Sequence, residues 1–321
     1  MPITGPSSYV PTIDEFLAHW LAVNNALGAA GPMVLPHGGT IVILTGFRGQ
    51  LDGYRASVKN KQNVEEIARG ALEIQRTELM KRLGQFNRKV RGSLSHTAFA
   101  AALPQVPSIT AAPAVLIEEL DDMESLWVKI NAATIPGFTG PLLLLDGYAL
   151  ATFTTALTAF RAAVKAWSDA VEDLQLEREQ RNDVQDLAHA ILSEYRPAVE
   201  GNFDPTHALV ATIPKIAPEP GSTPDPVTAN GQWIDSLGMA KITFPESLDA
   251  NLLRYELRMC AGANYTTDNE VVVGSILPGA PREFVTADGL PSPGSVATYK
   301  VYVITTTLNE RGSNTVSVTR P

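Results

Sequence analysis

Between residues 150 and 174, eight apolar residues recur at alternating spacings of three and four: Leu150, Phe153, Leu157, Phe160, Val164, Trp167, Val171 and Leu174. In an α-helix such residues line one face, whereas in a strand they would scatter over both faces. Sustained over seven intervals, the pattern is the seam of a coiled coil or bundle. One long helix is therefore expected from about Tyr148 to Tyr195, ended by Pro197. The seam breaks at the polar run Glu177–Asn182 and resumes at Val184, Leu187, Ile191 and Tyr195. The run is read as the place where the helix leaves the bundle and becomes solvated; a polar layer fixing register is the other reading.

Three more helices follow from the same periodicity. Residues 13–27 place Phe16, Trp20, Val23 and Leu27 on one face, with Thr12 as the expected N-cap and Glu15 at the capping-box position. A long helix from about Gly49 to Val90 carries Val58, Val64, Ile67, Ala71, Ile74, Leu79, Leu83 and Phe86, with a polar middle at 59–63. A third, from Val115 to about Ala133, carries Leu116, Leu120, Met123, Trp127 and Ile130.

Each long helix follows a short apolar run bounded by glycine: Thr40–Leu44 before Gly46-Phe47, and Leu142–Leu145 before Gly147-Tyr148. Both runs are expected as short strands that pair with each other or with a neighbouring chain. Trp20 with Asn24 matches Trp127 with Asn131, Val90-Arg91-Gly92 matches Val199-Glu200-Gly201, and Leu103-Pro104 matches Ile213-Pro214. The order of these matches predicts a duplicated unit, copy one over about 12–107 and copy two over 113–216. Four amphipathic elements are most simply buried as a four-helix bundle with pseudo-twofold symmetry. Residues 1–11, with three prolines, are expected as an extended arm.

Composition excludes several classes. The chain has 321 residues and a net charge of −9, with a pI near 5.1, so it repels phosphate backbones and no nucleic-acid partner is expected. A single cysteine, Cys260, rules out an intrachain disulfide and zinc sites built on two or more cysteines. No apolar run approaches the ~20 residues of a membrane span. The first residues lack a basic-then-apolar signal pattern. A cytoplasmic location is expected, with release by lysis or by a dedicated secretion route fitting equally.

At Ala217 the pattern changes. A proline-rich linker, 217–226, precedes short alternating segments over 227–321: Val227–Asn230, Met239–Phe244, Leu253–Ala261, Glu270–Val273, Arg282–Thr286, Thr298–Thr306 and Thr315–Thr319. About seven short strands at this spacing predict a β-sandwich. Leu290, Pro293-Gly294 and Tyr299 resemble the tyrosine corner of a fibronectin type III domain, with a slightly longer spacer. Asn309–Asn314 resembles that family's turn before its last strand, and Tyr255 its C-strand tyrosine. Phe244 stands where the family has tryptophan. The resemblance covers the last third of the chain and implies a sandwich with tyrosine-corner packing. The fold class expected is thus multidomain, a duplicated long-helix bundle followed by a fibronectin type III-like β-sandwich.

Nothing in the residues points to catalysis. The histidines, at 19, 37, 96, 189 and 207, show no metal spacing. Cys260 lies in an expected strand and reads as a small apolar residue. Nucleophile elbows, phosphate-binding loops and dinucleotide fingerprints are missing. Gly46-Phe47-Arg48-Gly49 reads as a tight turn and not as an anion site. The acidic run Glu118–Glu124 reads as a solvated helix face. The expectation is no enzyme, no cofactor and no metal, in a structural or assembly protein of bacterial or viral kind that forms a homo-oligomer or joins other subunits. Gly46, Phe47, Gly147, Tyr148, Trp20, Trp127, Trp167, Leu290 and Tyr299 are its structural and interaction positions. The alternative is a binding module, with the sandwich recognising a protein or glycan through Trp233 or Tyr265.

Overall fold

The computed structural model describes residues 2–221 and 223–321. The first 200 or so residues are helical and two antiparallel sheets follow. The helices are α1 (Tyr9–Leu27), α2 (Ile41–Ser93), α3 (Ala98–Ala101), α4 (Pro113–Ala132), α5 (Leu150–Asn202) and α6 (Ala208–Ala211). By contacts the chain divides into two compact units, 1–59 with 178–321, and 60–177. The linker at 217–226 lies inside the first.

In the first unit the helical core joins Ile13, Phe16, Trp20 and Val23 of α1 to Leu44 and Leu51 of α2 and to Ala188, Leu192, Tyr195 and Val199 of α5. Phe16 meets the Tyr195 ring edge-on at 5.4 Å. The second unit has a separate core: Leu79, Leu83, Phe86 and Val90 of α2, Leu120, Met123, Trp127 and Ile130 of α4, and Phe153, Leu157 and Phe160 of α5. The four helices therefore fill two three-helix cores and not the single four-helix core that the pattern suggests. Each long helix gives one half to each core, which is why each carries two runs of apolar positions around a polar middle. Burying one such large side chain contributes about 1.5–3 kcal/mol.

Neither short strand forms. Thr40–Leu44 is the entry to α2, which begins about eight residues earlier than its periodicity suggests. Leu44 is fully buried while Val42 and Ile43 are exposed, so helical packing of one residue overrides the β-branched composition. Residues 142–144 form no strand, and Leu144, in extended backbone, leads into a 3-10 turn at Leu145–Gly147. Leu142 and Leu144 point into the core and Leu143 and Leu145 outward, which mimics a strand. The backbone of Leu142 is satisfied by side chains instead of a ladder: its N–H donates to Asn131 Oδ1 at 2.8 Å and its carbonyl accepts from Trp127 Nε1 at 3.0 Å.

Two helix ends also differ from expectation. The arm at 1–11 is not extended throughout, because Pro6–Ser8 is a 3-10 turn and α1 starts at Tyr9. Pro11 fits the first turn, whose N–H groups have no helical partner. Thr12 does not cap; its hydroxyl donates to the Ser8 carbonyl at 2.7 Å. Pro197 does not end α5, which runs to Asn202 because Tyr195 and Val199 are both held in the core.

The sandwich strands are β1 (Asn230–Ile234), β2 (Met239–Thr243), β3 (Leu252–Ala261), β4 (Val271–Ile276), β5 (Glu283–Thr286), β6 (Val296–Thr305), β7 (Glu310–Gly312) and β8 (Val316–Thr319). One sheet has the order β1-β2-β5; the other runs β4-β3-β6-β7, with β8 also on β6. The first strand starts at Asn230, later than the expected segment at Val227. The stretch expected as a turn, Asn309–Asn314, contains β7. Tyr255, Leu257, Tyr299, Val301 and Val303 fill the space between the sheets. Gly289, at φ +78, turns the chain there; a Cβ on it would lie 2.7 Å from Met259 Sδ.

Candidate functional site

Alternation along β3 explains where the polar residues of interest lie. Tyr255, Leu257 and Met259 face the sandwich core, so Glu256, Arg258 and Cys260 face outward. Outward residues of a half-covered sheet are normally wet. Here Glu256 and Arg258 are each 3% exposed and Cys260 is 2% exposed. This face is buried by the sandwich's own Glu270, Tyr302 and Glu310, which meet Arg258, and at its edge by Ser7 and the two long helices.

Arg258 sits at the centre. Its Nε donates to Glu256 Oε1 at 2.9 Å, and its Nη1 to Glu270 Oε1 and Glu310 Oε1, both at 2.9 Å. Its Nη2 donates to Glu310 Oε2 at 2.5 Å. The guanidinium lies 3.9 Å from the centre of the Tyr302 ring, a stacked arrangement that lysine could not match. Tyr265 and Tyr302 both donate to Glu270 Oε2, at 2.6 and 3.0 Å. Arg254 pairs with the far oxygen of Glu256 at 3.2 Å.

The helical part grips this network at its edge. Ser7 Oγ donates to Glu270 Oε1 at 3.0 Å, and Arg55 on α2 donates to the Glu270 carbonyl at 2.5 Å. On α5, Arg181 reaches Asp268 at 2.8 Å and Arg178 reaches it at 3.3 Å. The linker is tied down as well, since Glu219 N–H donates to the Thr307 carbonyl and Asn309 Nδ2 to the Glu219 carbonyl. Ile3 N–H donates to the Ile216 carbonyl.

These groups are tuned by burial and by one another. Burial works against the charge on Arg258, but the bond to Glu310 and the charges of Glu310, Glu270 and Glu256 outweigh it and raise its pKa. Burial, then the charge of Glu270, pushes the Tyr302 hydroxyl up to about 12 and raises Tyr265 further still. Burial also raises Cys260, whose thiol donates to the Thr266 carbonyl at 3.2 Å. It is therefore a protonated thiol at neutral pH and a poor nucleophile. Each carboxylate of the network is tied to a cation or hydroxyl. The arrangement ties three strands and the loop before β4 to one another.

The residues singled out by sequence fall elsewhere. Gly46 and Phe47 lie in the second turn of α2, Gly46 exposed and Phe47 packed on the first core. Gly147 takes φ +71 in the turn before α5, and Tyr148 packs on the second core under the Arg82 guanidinium, 4.2 Å from its ring centre. The two glycine–aromatic motifs thus occupy different places. Asn24 Oδ1 accepts from Met33 N–H, nine residues on, and Asn131 Oδ1 from Leu142 N–H, eleven residues on. Leu35 N–H bonds the Gly39 carbonyl as Leu144 N–H bonds that of Tyr148. The place matching Gly147-Tyr148 is therefore Gly38-Gly39. Trp20 and Trp127 are fully buried, one in each core. Trp167 donates to Glu65 Oε1 at 2.9 Å. Leu290 and Tyr299 are fully buried, and the Tyr299 hydroxyl donates to the Asp288 carbonyl at 2.6 Å. The two aromatics suggested for ligand recognition are engaged: Arg320 stacks over Trp233, and Tyr265 belongs to the Arg258 network.

The run Glu177–Asn182 is only partly solvated: Glu179, Gln180 and Asn182 are exposed, but Arg181 is 7% exposed. It is where the sandwich is seated. Sequence reading missed the network. The available signal was Arg254-x-Glu256-x-Arg258, charges on alternate residues of one strand and hence on one face.

No family model and no curated protein matches the chain. Among solved structures, a pectate lyase from Pectobacterium carotovorum is similar at 15% identity, over 29% of this chain and 27% of that one, with a TM-score of 0.24. A pectate lyase from Erwinia chrysanthemi, in complex with tetragalacturonic acid, gives 18% identity over 29% and 28%, with a TM-score of 0.25. A Fn3-like protein from Clostridium thermocellum gives 16% identity over 31% of this chain and 96% of that one, with a TM-score of 0.25. The match thus spans less than a third of either lyase. Among the described residues no helix is long and apolar enough to cross a membrane.

Proposed function

We propose that the chain is a non-enzymatic structural subunit that self-associates through its helical part and holds the β-sandwich in a fixed position. The observation that carries the fixed placement is the seat: Ser7 and Arg55 of the helical part hydrogen-bond Glu270 of the sandwich, and Arg181, almost fully buried, and Arg178 pair with Asp268. A module meant only to swing on a linker has no use for such bonds. Light scattering across a concentration series tests the reading. A mass above one 34.4 kDa chain, rising with concentration, is expected. A single-chain mass at high concentration would sink it.

The helical part is read here as an internal duplication. Support comes from two helices of the same length, 53 residues, each entered through an equivalent asparagine-held loop. Further support comes from equivalent core positions, Leu44 with Phe153, Leu51 with Phe160, Leu83 with Leu192, and Phe86 with Tyr195. The expected boundary at 217–226 is tested by truncation after Pro218, which should leave a folded helical fragment. An unfolded fragment would refute it.

A further inference from the structure

The loops entering the two long helices are built alike, yet the clefts beside them differ. Ahead of α2, His37 Nδ1 pairs with Glu194 of α5, and Pro197 and Ala198 follow on that helix. Ahead of α5, the equivalent positions are Asp146 on the loop and Gln85, Arg88 and Lys89 on α2. Here nothing closes the site. A cleft of about 590 Å³ opens between the helix and the loop, with Leu143 and Leu145 on its rim, 41% and 64% exposed. Arg88 and Lys89 are exposed, and neither has an ion pair among the described residues. In a chain of net charge −9, two adjacent cations that outnumber the one carboxylate of the cleft, Asp146, and form no ion pair with it, next to bare leucines, make an uncommon patch. It calls for an occupant that brings carboxylates and an apolar side chain together.

The chain itself carries such a surface. On α4, Val115, Glu118 and Asp122 fall three and four residues apart, on one helical face. Val115 is 44% exposed and both acids are exposed. Their acidic neighbours are already engaged: Asp121 with Arg161, Glu124 with the Thr154 hydroxyl, and Glu119 with the Gln105 N–H. Glu118 and Asp122 have no ion pair among the described residues.

We propose that the Arg88–Lys89 cleft of one chain receives the Val115–Glu118–Asp122 face of a second copy. Arg88 and Lys89 meet the two carboxylates, and Val115 lies against Leu143 and Leu145. The two patches differ, so the contact is heterologous and joins copies head to tail, closing a ring or growing a filament. The inference rests on the self-association reading and names its surfaces.

The test compares full-length wild type, R88E/K89E, E118R/D122R and an equal mixture of the two variants by light scattering at matched concentration. Circular dichroism checks each fold, which should be unchanged because all four side chains are exposed; R88Q/K89Q replaces R88E/K89E, and E118Q/D122N replaces E118R/D122R, if either unfolds, and a neutral variant is then read only by its own fall to the mass of one chain. Wild type should exceed the mass of one chain, and each variant alone should fall to it. The mixture should regain the higher mass, because reversed cleft then meets reversed helix. Association of both variants equal to wild type would overturn the surfaces and leave self-association standing. Variants that dissociate without recovery in the mixture would overturn the pairing of cleft with helix. A monomeric wild type would overturn the self-association reading and this inference with it.

Discussion

Arg181, in the middle of a 53-residue helix, donates to the carboxylate of Asp268 at 2.8 Å while almost wholly shielded from water. Removing one partner of a buried pair leaves the other desolvated and unmatched, which costs far more than an exposed pair is worth. Arg178 still reaches Asp268, so the loss is partial. Arg181→Ala is expected to destabilise the protein by about 1–3 kcal/mol in urea unfolding, and Arg181→Lys by less. No change with alanine would show the seat to be energetically idle.

The loop leading to α5 depends on one amide. Asn131→Ala deprives the Leu142 N–H of its acceptor beside a fully buried Trp127. A stranded N–H costs about 1–3 kcal/mol. The loss should appear in thermal unfolding, and Asn24→Ala should act alike on the Met33 N–H. Unchanged unfolding in both variants would deny the asparagines their role.

His19 supplies a pH dependence. Its Nε2 faces the Leu209 carbonyl at 2.9 Å and its Nδ1 faces the Tyr195 hydroxyl at 2.7 Å. A carbonyl only accepts, so Nε2 carries the proton and Nδ1 accepts from tyrosine. Burial lowers the pKa, and the Leu209 bond only partly offsets this. A group whose folded pKa is depressed and which is needed neutral stabilises fully above its unfolded value of about 6.5. That stability is lost as pH falls below this value toward the folded pKa. Urea midpoints should drop between pH 7.5 and 5.5, and His19→Gln should flatten the difference. An equal drop in the variant would assign the effect elsewhere.

In the sandwich, Tyr299→Phe removes the bond to the Asp288 carbonyl and is expected to cost about 1 kcal/mol. Gly289→Ala should cost more, since it forces a methyl against Met259 and Ala297 at a positive φ. Denaturant titration that ranks the two in the reverse order would contradict the packing described for that corner.

Much of this was readable from residues alone. Phe153, Leu157 and Phe160 announced α5, and Leu290 with Tyr299 announced the corner, because periodic burial and a local turn are written in neighbouring residues. The two false strands show the limit. Ile41-Val42-Ile43 has strand composition, and its helical state is decided by what Leu44 packs against. Leu142–Leu145 alternates like a strand, but Asn131 and Trp127 take the place of a ladder partner. The seat was hidden for a stronger reason. Ser7, Arg55, Arg181 and Asp268 are ordinary surface residues in sequence, and only the tertiary fold brings them together.

That distance along the chain has a kinetic consequence. Ser7 and Glu270 are 263 residues apart, so their bond closes a loop that contains nearly the whole molecule. Local contacts form first and long loops close late. During synthesis the N-terminal segment emerges long before β4 exists, and the site it is to occupy on the sandwich is built only near the end. The seat therefore cannot be completed before the N-terminal segment and the Asp268–Glu270 stretch of the sandwich are both in place.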